Sequence, residues 1–261
     1  MTVTALALSD QNTTSLIIDI DICFLVEVDA AKARKAVSDL TGVAESNIRL
    51  SYTHTHSDTI RTLVDTWFST GTEMLEAYIG NLQRNIAGTA WAAMRNQVPA
   101  RVAGAKGNAA ISVNRRFRRP GDGVVVVGRN WDGPVDPEVQ VLRFDTMAGE
   151  PLAAIVNFAC HPITVGPDND LLTPDYPGVV KRTVAETTGA TTLFLQGAAG
   201  DSARCSGTKP ASCGGQRNQS RPTSIMSARW NPARRSPYTR TVRAHRPIRQ
   251  CVSRFGRLTC R

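Results

Sequence analysis

A break in charge after Asp201 sets the first limit on what this chain can fold into. All 22 Asp and Glu lie in residues 1–201, against 17 of the 31 Lys and Arg, a net of −5; residues 202–261 hold the other 14 basic residues and no acid. The overall balance of +9 and the pI near 9.7 therefore describe the tail and not the body. The tail also carries Cys205, Cys213, Cys251 and Cys260, with no C-x-x-C spacing and no sustained apolar period. Rich in Arg, Ser and Pro, it cannot bury enough apolar area to offset chain entropy. It reads either as an arginine-rich arm for phosphate or an acidic partner, or as out-of-frame translation after a frameshift. We therefore divide the chain into a folded body, 1–201, and a tail, 202–261, that is disordered or out of frame.

Within the body, two strand-like runs, Thr2 to Leu8 and Ser15 to Ile20, flank a turn-rich segment and predict a hairpin. Ala33, Ala36, Val37 and Leu40 recur at helical spacing, with Gly42 as a stop. The clearest helix runs from Thr72 to Asn96, its stripe of Leu75, Ile79, Leu82, Ile86, Ala90 and Met94 facing the core, with a capping box at Thr70-Gly71-Thr72-Glu73. Strands are expected at 101–105, 109–113, 124–127, 138–144, 152–158 and 191–195, and a helix at 176–188. Interleaved helices and strands predict an α/β or α+β fold with layered mixed β-sheets flanked by helices, here an incomplete domain. A start directly in a strand points to a missing N-terminus. No apolar run reaches the length of a membrane span, and the start lacks a signal-peptide pattern.

Two of the four histidines, His54 and His56, stand two residues apart in Thr53-His54-Thr55-His56-Ser57, just past the strand-like run 47–52. In an extended chain they share a face. They are either exposed strand-end residues or a pair in which both bind a metal, or one binds while the other moves protons. His161 follows an apolar strand in Asn157-Phe158-Ala159-Cys160-His161-Pro162, where loops present side chains from a rigid base. Arg115 and Arg116, in Asn114-Arg115-Arg116, are suited to hold a carboxylate, phosphate or polarised carbonyl oxygen; Arg118 and Arg119 read as a solvated basic face. Gly197-Ala198-Ala199-Gly200-Asp201 offers backbone N–H groups to an anion but lacks the lysine and hydroxyl of a P-loop.

Taken in order, T-H-T-H-S, V-N-R-R, G-R-N-x-D-G-P-V-D-P-E-V, V-L-R-F-D, N-F-A-C-H-P, D-Y-P-G and F-L-Q-G-A-A-G-D resemble the N-terminal catalytic domain of neutral/alkaline non-lysosomal ceramidases and their bacterial relatives. The resemblance covers residues 1–201 and implies a zinc-dependent amidohydrolase that cleaves the N-acyl amide of ceramide or a related lipid amide. It implies that His54 and His161 bind Zn2+, that His56 assists proton transfer, and that Arg115 or Arg116 contacts the substrate or the developing oxyanion. The partner implied is a ceramide-like lipid amide, with membrane-surface contact through that substrate and no nucleic acid; the compartment implied is secreted or periplasmic.

The family's glutamate and tyrosine ligands map to no residue of this chain, which leaves Asp58 and Asp175 as the nearest carboxylates by motif. Ser202 is one residue out of register with the family's catalytic serine, so that role is not carried over. Asp58 stands where the family has glycine, and Trp131 where it has proline. With two motif-matched ligands, the expectation is an inactive, truncated chain. Two alternatives remain: a zinc hydrolase of another amide, or a non-catalytic protein whose Arg-rich tail binds anions or nucleic acid.

Overall fold

The hairpin at the start forms as the sequence predicts. β1 (Thr2–Ser9) and β2 (Thr14–Ile20) pair antiparallel from Val3↔Ile20 to Ser9↔Thr14, and Asp10 closes the turn by accepting the N–H groups of Asn12 and Thr13 at 2.8 and 2.7 Å. This computed structural model describes residues 1–10, 12–58, 72–165 and 171–204, together with the backbone of 251–253 and 258–259. The rest of the tail, where disorder is expected, and Thr70 and Gly71 of the capping box lie outside the described residues.

A parallel neighbour needs a crossover. β3 (Ile48–Tyr52) runs parallel to β2, and the crossover is α1 (Glu27–Thr41), longer at its start than the apolar spacing alone implies because Glu27 and Asp29 favour a helix N-terminus. Gly42 ends it at φ 74°, its N–H bonded to the Ser38 carbonyl. α2 (Thr72–Arg95) buries the predicted residues Leu75, Ile79, Leu82, Ile86 and Ala90.

The strands expected at 101–105 and 109–113 are drawn differently. β4 (Gln97–Asn108) is one continuous strand, and β5 (Ser112–Arg118) begins after a short turn. The reason is pairing: β4 meets β7 (Glu138–Thr146) from Ala100↔Thr146 to Asn108↔Glu138, and that ladder carries it through Gly104 and Gly107, which local propensity disfavours. β8 (Pro151–Phe158) joins β7 antiparallel, and β9 (Thr191–Gln196) joins β8 in parallel after a second crossover, α3 (Asp175–Thr188). β6 (Val125–Asn130) and β10 (Ser202–Arg204) complete a small sheet in the order β10-β5-β6. The backbone of β11 (Cys251–Ser253) pairs with both β1 and β4, and that of β12 (Leu258–Thr259) with β1.

Strand alternation sorts the apolar residues into layers. Val3, Ala5, Ala7, Leu16, Ile18 and Ile20 pack under α1 and α2, while Leu6 on the opposite face meets Phe144, Ala153, Ile155 and Leu193. On the far side of β8 and β9, Val156, Phe158 and Phe194 pack with Tyr176, Val180 and Val184 of α3. The result is a mixed α+β fold layered helices–sheet–sheet–helix. Each fully buried Leu or Phe contributes roughly 1.5–3 kcal/mol.

A buried ionic cluster fastens these layers. Asp19, on β2, accepts the Phe194 N–H of the outer strand β9 at 3.0 Å and the Lys181 ammonium of α3 at 3.1 Å. Asp21 accepts Lys181 as well, together with the N–H and hydroxyl of Thr2 at 2.9 and 2.6 Å.

Candidate functional site

Both parallel pairs, β2/β3 and β8/β9, send their carboxyl ends to one place, and ligands in sheets of this kind bind outside such ends. Cys23 follows β2, His54 and His56 follow β3, His161 follows β8, and Gly197 to Asp201 follow β9. The three histidine rings meet there, with centroids 5.2 Å apart for His54 and His56, 4.7 Å for His54 and His161, and 4.9 Å for His56 and His161. His56 Nε2 lies 3.0 Å from His161 Nε2.

The T-H-T-H run is not extended throughout. Thr53 and Thr55 are fully buried, and the Thr55 hydroxyl donates to the Thr173 carbonyl at 2.7 Å. His54 adopts φ 63°, a left-handed conformation uncommon outside glycine, which its N–H bond to the Ile22 carbonyl holds in place. A backbone bend thus brings the rings together where strand alternation was expected to do so. Asp175, the second non-glycine residue with positive φ, at 53°, ties the loop after His161 to α3. Its carboxylate accepts the N–H groups of Thr164, Val165 and Tyr176 at 2.7, 3.2 and 2.6 Å. Those bonds staple the loop to α3, and Asp175 is not in the donor cluster of Cys23, His54 and His56. Asp58 accepts the Cys23 N–H at 3.2 Å.

Backbone carbonyls set the tautomers. His161 Nδ1 stands 3.1 Å from the Ala199 oxygen and His54 Nδ1 3.1 Å from the Cys23 oxygen, so each Nδ1 carries a proton and each Nε2 is the ring nitrogen left to face the site. The loop after β9 turns carbonyls toward the site, and not the N–H groups expected of an anion cradle. Ala199 holds His161, and the Gly200 oxygen accepts Arg115 Nε–H at 2.9 Å. The Asp201 oxygen accepts the Arg115 backbone N–H at 2.7 Å. Ser202, two per cent exposed, donates its hydroxyl to Ala159 and accepts the His161 N–H at 3.1 Å.

Burial pushes His161 down to about 4 against the pull of the Ala199 carbonyl, with the charges of Arg115, His54 and His56 adding to the fall. Burial lowers His56 as well, helped by His54 and Arg115 and opposed by Asp175. Arg115 is therefore the arginine whose charge reaches the histidines. Arg116 is exposed, and its N–H bonds the Asn114 side chain at 2.9 Å. Burial, with the Asp58 charge, pushes the Cys23 thiol up to about 12. Sequence reading assigned Cys23 no role; the signal for it is its position just past β2, which only the parallel pairing with β3 places beside His54.

The donor set fits a zinc ion. Neutral imidazoles are the form that binds metal, and two nitrogens on one tetrahedral zinc at about 2.0 Å stand roughly 3.3 Å apart, close to the His56–His161 separation. Cys23, His54 and His56 also offer donor atoms that all lie within 4.8 Å of one another. That cluster includes His56 and not His161, whose Nε2 lies 3.0 Å from His56 Nε2. No helix among the described residues is long and apolar enough to cross a membrane.

No known family model matches the chain, and no curated protein does. Solved structures do resemble it, two ceramidases among them. Neutral ceramidase from Pseudomonas aeruginosa superposes with a TM-score of 0.60 at 22% identity, covering 77% of this chain and 33% of that one. A ceramidase complexed with C2 gives 0.58 at 20% identity, covering 74% and 31%. The chain thus has the fold of bacterial neutral ceramidase over about a third of that protein's length.

Proposed function

We propose that this chain is part of a ceramidase-like zinc-dependent amidohydrolase acting on the N-acyl amide of ceramide or a related lipid amide. The convergence of His54, His56 and His161 at the strand ends of a ceramidase-like fold carries the reading. His54 and His161 would hold the metal through Nε2, and a zinc ion held there would supply Lewis acidity toward the amide carbonyl and a water that is nucleophilic at neutral pH. His56 is neutral near pH 7, takes a proton from the attacking water and returns it to the leaving amine. Arg115, anchored by Gly200, stabilises the negative charge that develops on the carbonyl oxygen. A secreted or periplasmic location accompanies this reading, as does contact with a lipid surface through the substrate.

By itself the chain turns over little or no substrate. Among the described residues the donor cluster at ligand spacing is Cys23, His54 and His56, and no carboxylate joins it. The test is zinc content and hydrolysis of a fluorogenic ceramide by the purified chain. One equivalent of zinc, lost in His54→Ala and His161→Ala, with turnover near background, supports the proposal. Failure to bind zinc overturns the metal centre, and robust turnover overturns the inactivity.

A further inference from the structure

We propose that Cys23 supplies a sulfur ligand to the metal at this site, giving the chain a mixed Cys–His donor set. The inference rests on the zinc reading above and goes beyond the residues its motifs match. Three observations carry it. First, Cys23 and His54 leave the carboxyl ends of adjacent parallel strands, and the His54 N–H bonds the Ile22 carbonyl, so the two residues are fixed side by side. Second, Cys23 Sγ lies 3.7 Å from His54 Nδ1, while the Cys23 carbonyl accepts that Nδ1 proton and leaves His54 Nε2 open. Third, the sulfur and one nitrogen each of His54 and His56 lie within 4.8 Å of one another.

Donors on a single tetrahedral zinc, at about 2.3 Å for sulfur and about 2.0 Å for nitrogen, stand roughly 3.3–3.6 Å apart. The three donors lie within 4.8 Å of one another, and side-chain rotation that turns the thiol and His54 Nε2 toward one point brings them to ligand spacing. Soft thiolate with borderline imidazole is a donor set that zinc favours over harder cations. Coordination exchanges the thiol proton for the metal, and the proton leaves to solvent. Cys160, the other free cysteine among the described residues, is fully buried and aims its thiol at the His161 carbonyl, 4.0 Å away.

Cobalt(II) separates the possibilities without reference to activity, because it adopts zinc geometries and shows visible d–d bands for any tetrahedral site but a near-ultraviolet sulfur-to-cobalt band only with thiolate. The full chain is titrated with Co2+ alongside Cys23→Ser, Cys23→Ala, His54→Ala and a variant with serine at positions 205, 213, 251 and 260. The expected result is a sulfur-to-cobalt band in the wild type and in the tail variant. Both Cys23 variants lose it, keep visible bands and bind at least about tenfold more weakly, the loss that even an outer partner of a ligand produces. Visible bands that His54→Ala removes, with no sulfur band in the wild type or one lost in the tail variant, overturn the role of Cys23 and leave the zinc centre standing. Absence of any cobalt or zinc binding overturns both.

Discussion

Lys181 Nζ lies 3.1 Å from Asp19 Oδ2, joining helix α3 to strand β2. Asp19 is fully buried, and burial raises its pKa to about 6 despite Lys181, with Asp21 adding to the rise. Burial works against the Lys181 charge, but Asp19 and Asp21 together outweigh it and hold that pKa above the ordinary lysine value. The two directions agree once the lysine is seen to be shared: two carboxylates favour one ammonium, while Asp19 alone loses more to burial than half a lysine returns. Removing one partner of a buried pair leaves a stranded charge at a cost of about 3–5 kcal/mol. Lys181→Ala is expected to lose that much in urea denaturation. Asp19→Asn should lose less, since an amide oxygen still accepts the Phe194 N–H.

His161 makes the metal-free protein sensitive to acid. Its folded pKa of about 4 lies below the 6.5 of an unperturbed histidine, so its contribution is fully present above pH 6.5 and is lost as pH falls through 4. The loss is at most roughly 3 kcal/mol. Asp19 acts with the opposite sign, its contribution present below 3.8 and lost as pH rises through about 6. Relative to the wild type, chelator-treated His161→Gln should therefore lose stability as pH rises from 4 to 6.5, and Asp19→Asn should gain it as pH rises from 3.8 to 6, both read from denaturation midpoints.

Arg115 and Arg116, equivalent in the motif, should separate by nuclear magnetic resonance. The Arg115 charge depresses both His56 and His161, so Arg115→Met is expected to raise both titration midpoints. Arg116→Met should leave them in place. Equal shifts from the two variants would contradict the placement of Arg115 beside the rings.

The Asn-Arg-Arg strand depends on a close approach. A Cβ added to Gly133 would stand 2.7 Å from Cβ and Cγ of Asn114, whose amide donates to the Pro134 carbonyl at 2.9 Å. Gly133→Ala is expected to cost about 1–3 kcal/mol as overpacking. Because Asn114 adjoins Arg115, the same variant should also broaden or shift the His56 and His161 resonances.

Local chemistry determined much of this protein. The hairpin, the Gly42 stop and the α2 stripe all follow from turn residues and apolar spacing, which act over a few residues. The motif order marked the three histidines and the arginine pair. The length of β4 was not local, because the β7 ladder and not propensity extends the strand through Gly104 and Gly107. The choice of Arg115 over Arg116 likewise required the carbonyls of Gly200 and Asp201, 85 and 86 positions further along. Cys23 shows the limit most clearly. Thirty-one residues separate it from His54, and only the parallel pairing of β2 with β3 makes them neighbours. Sequence spacing records what a residue is and which local element it joins; which donors share a point in space is set by strand pairing and the bend at His54, both decided by tertiary packing.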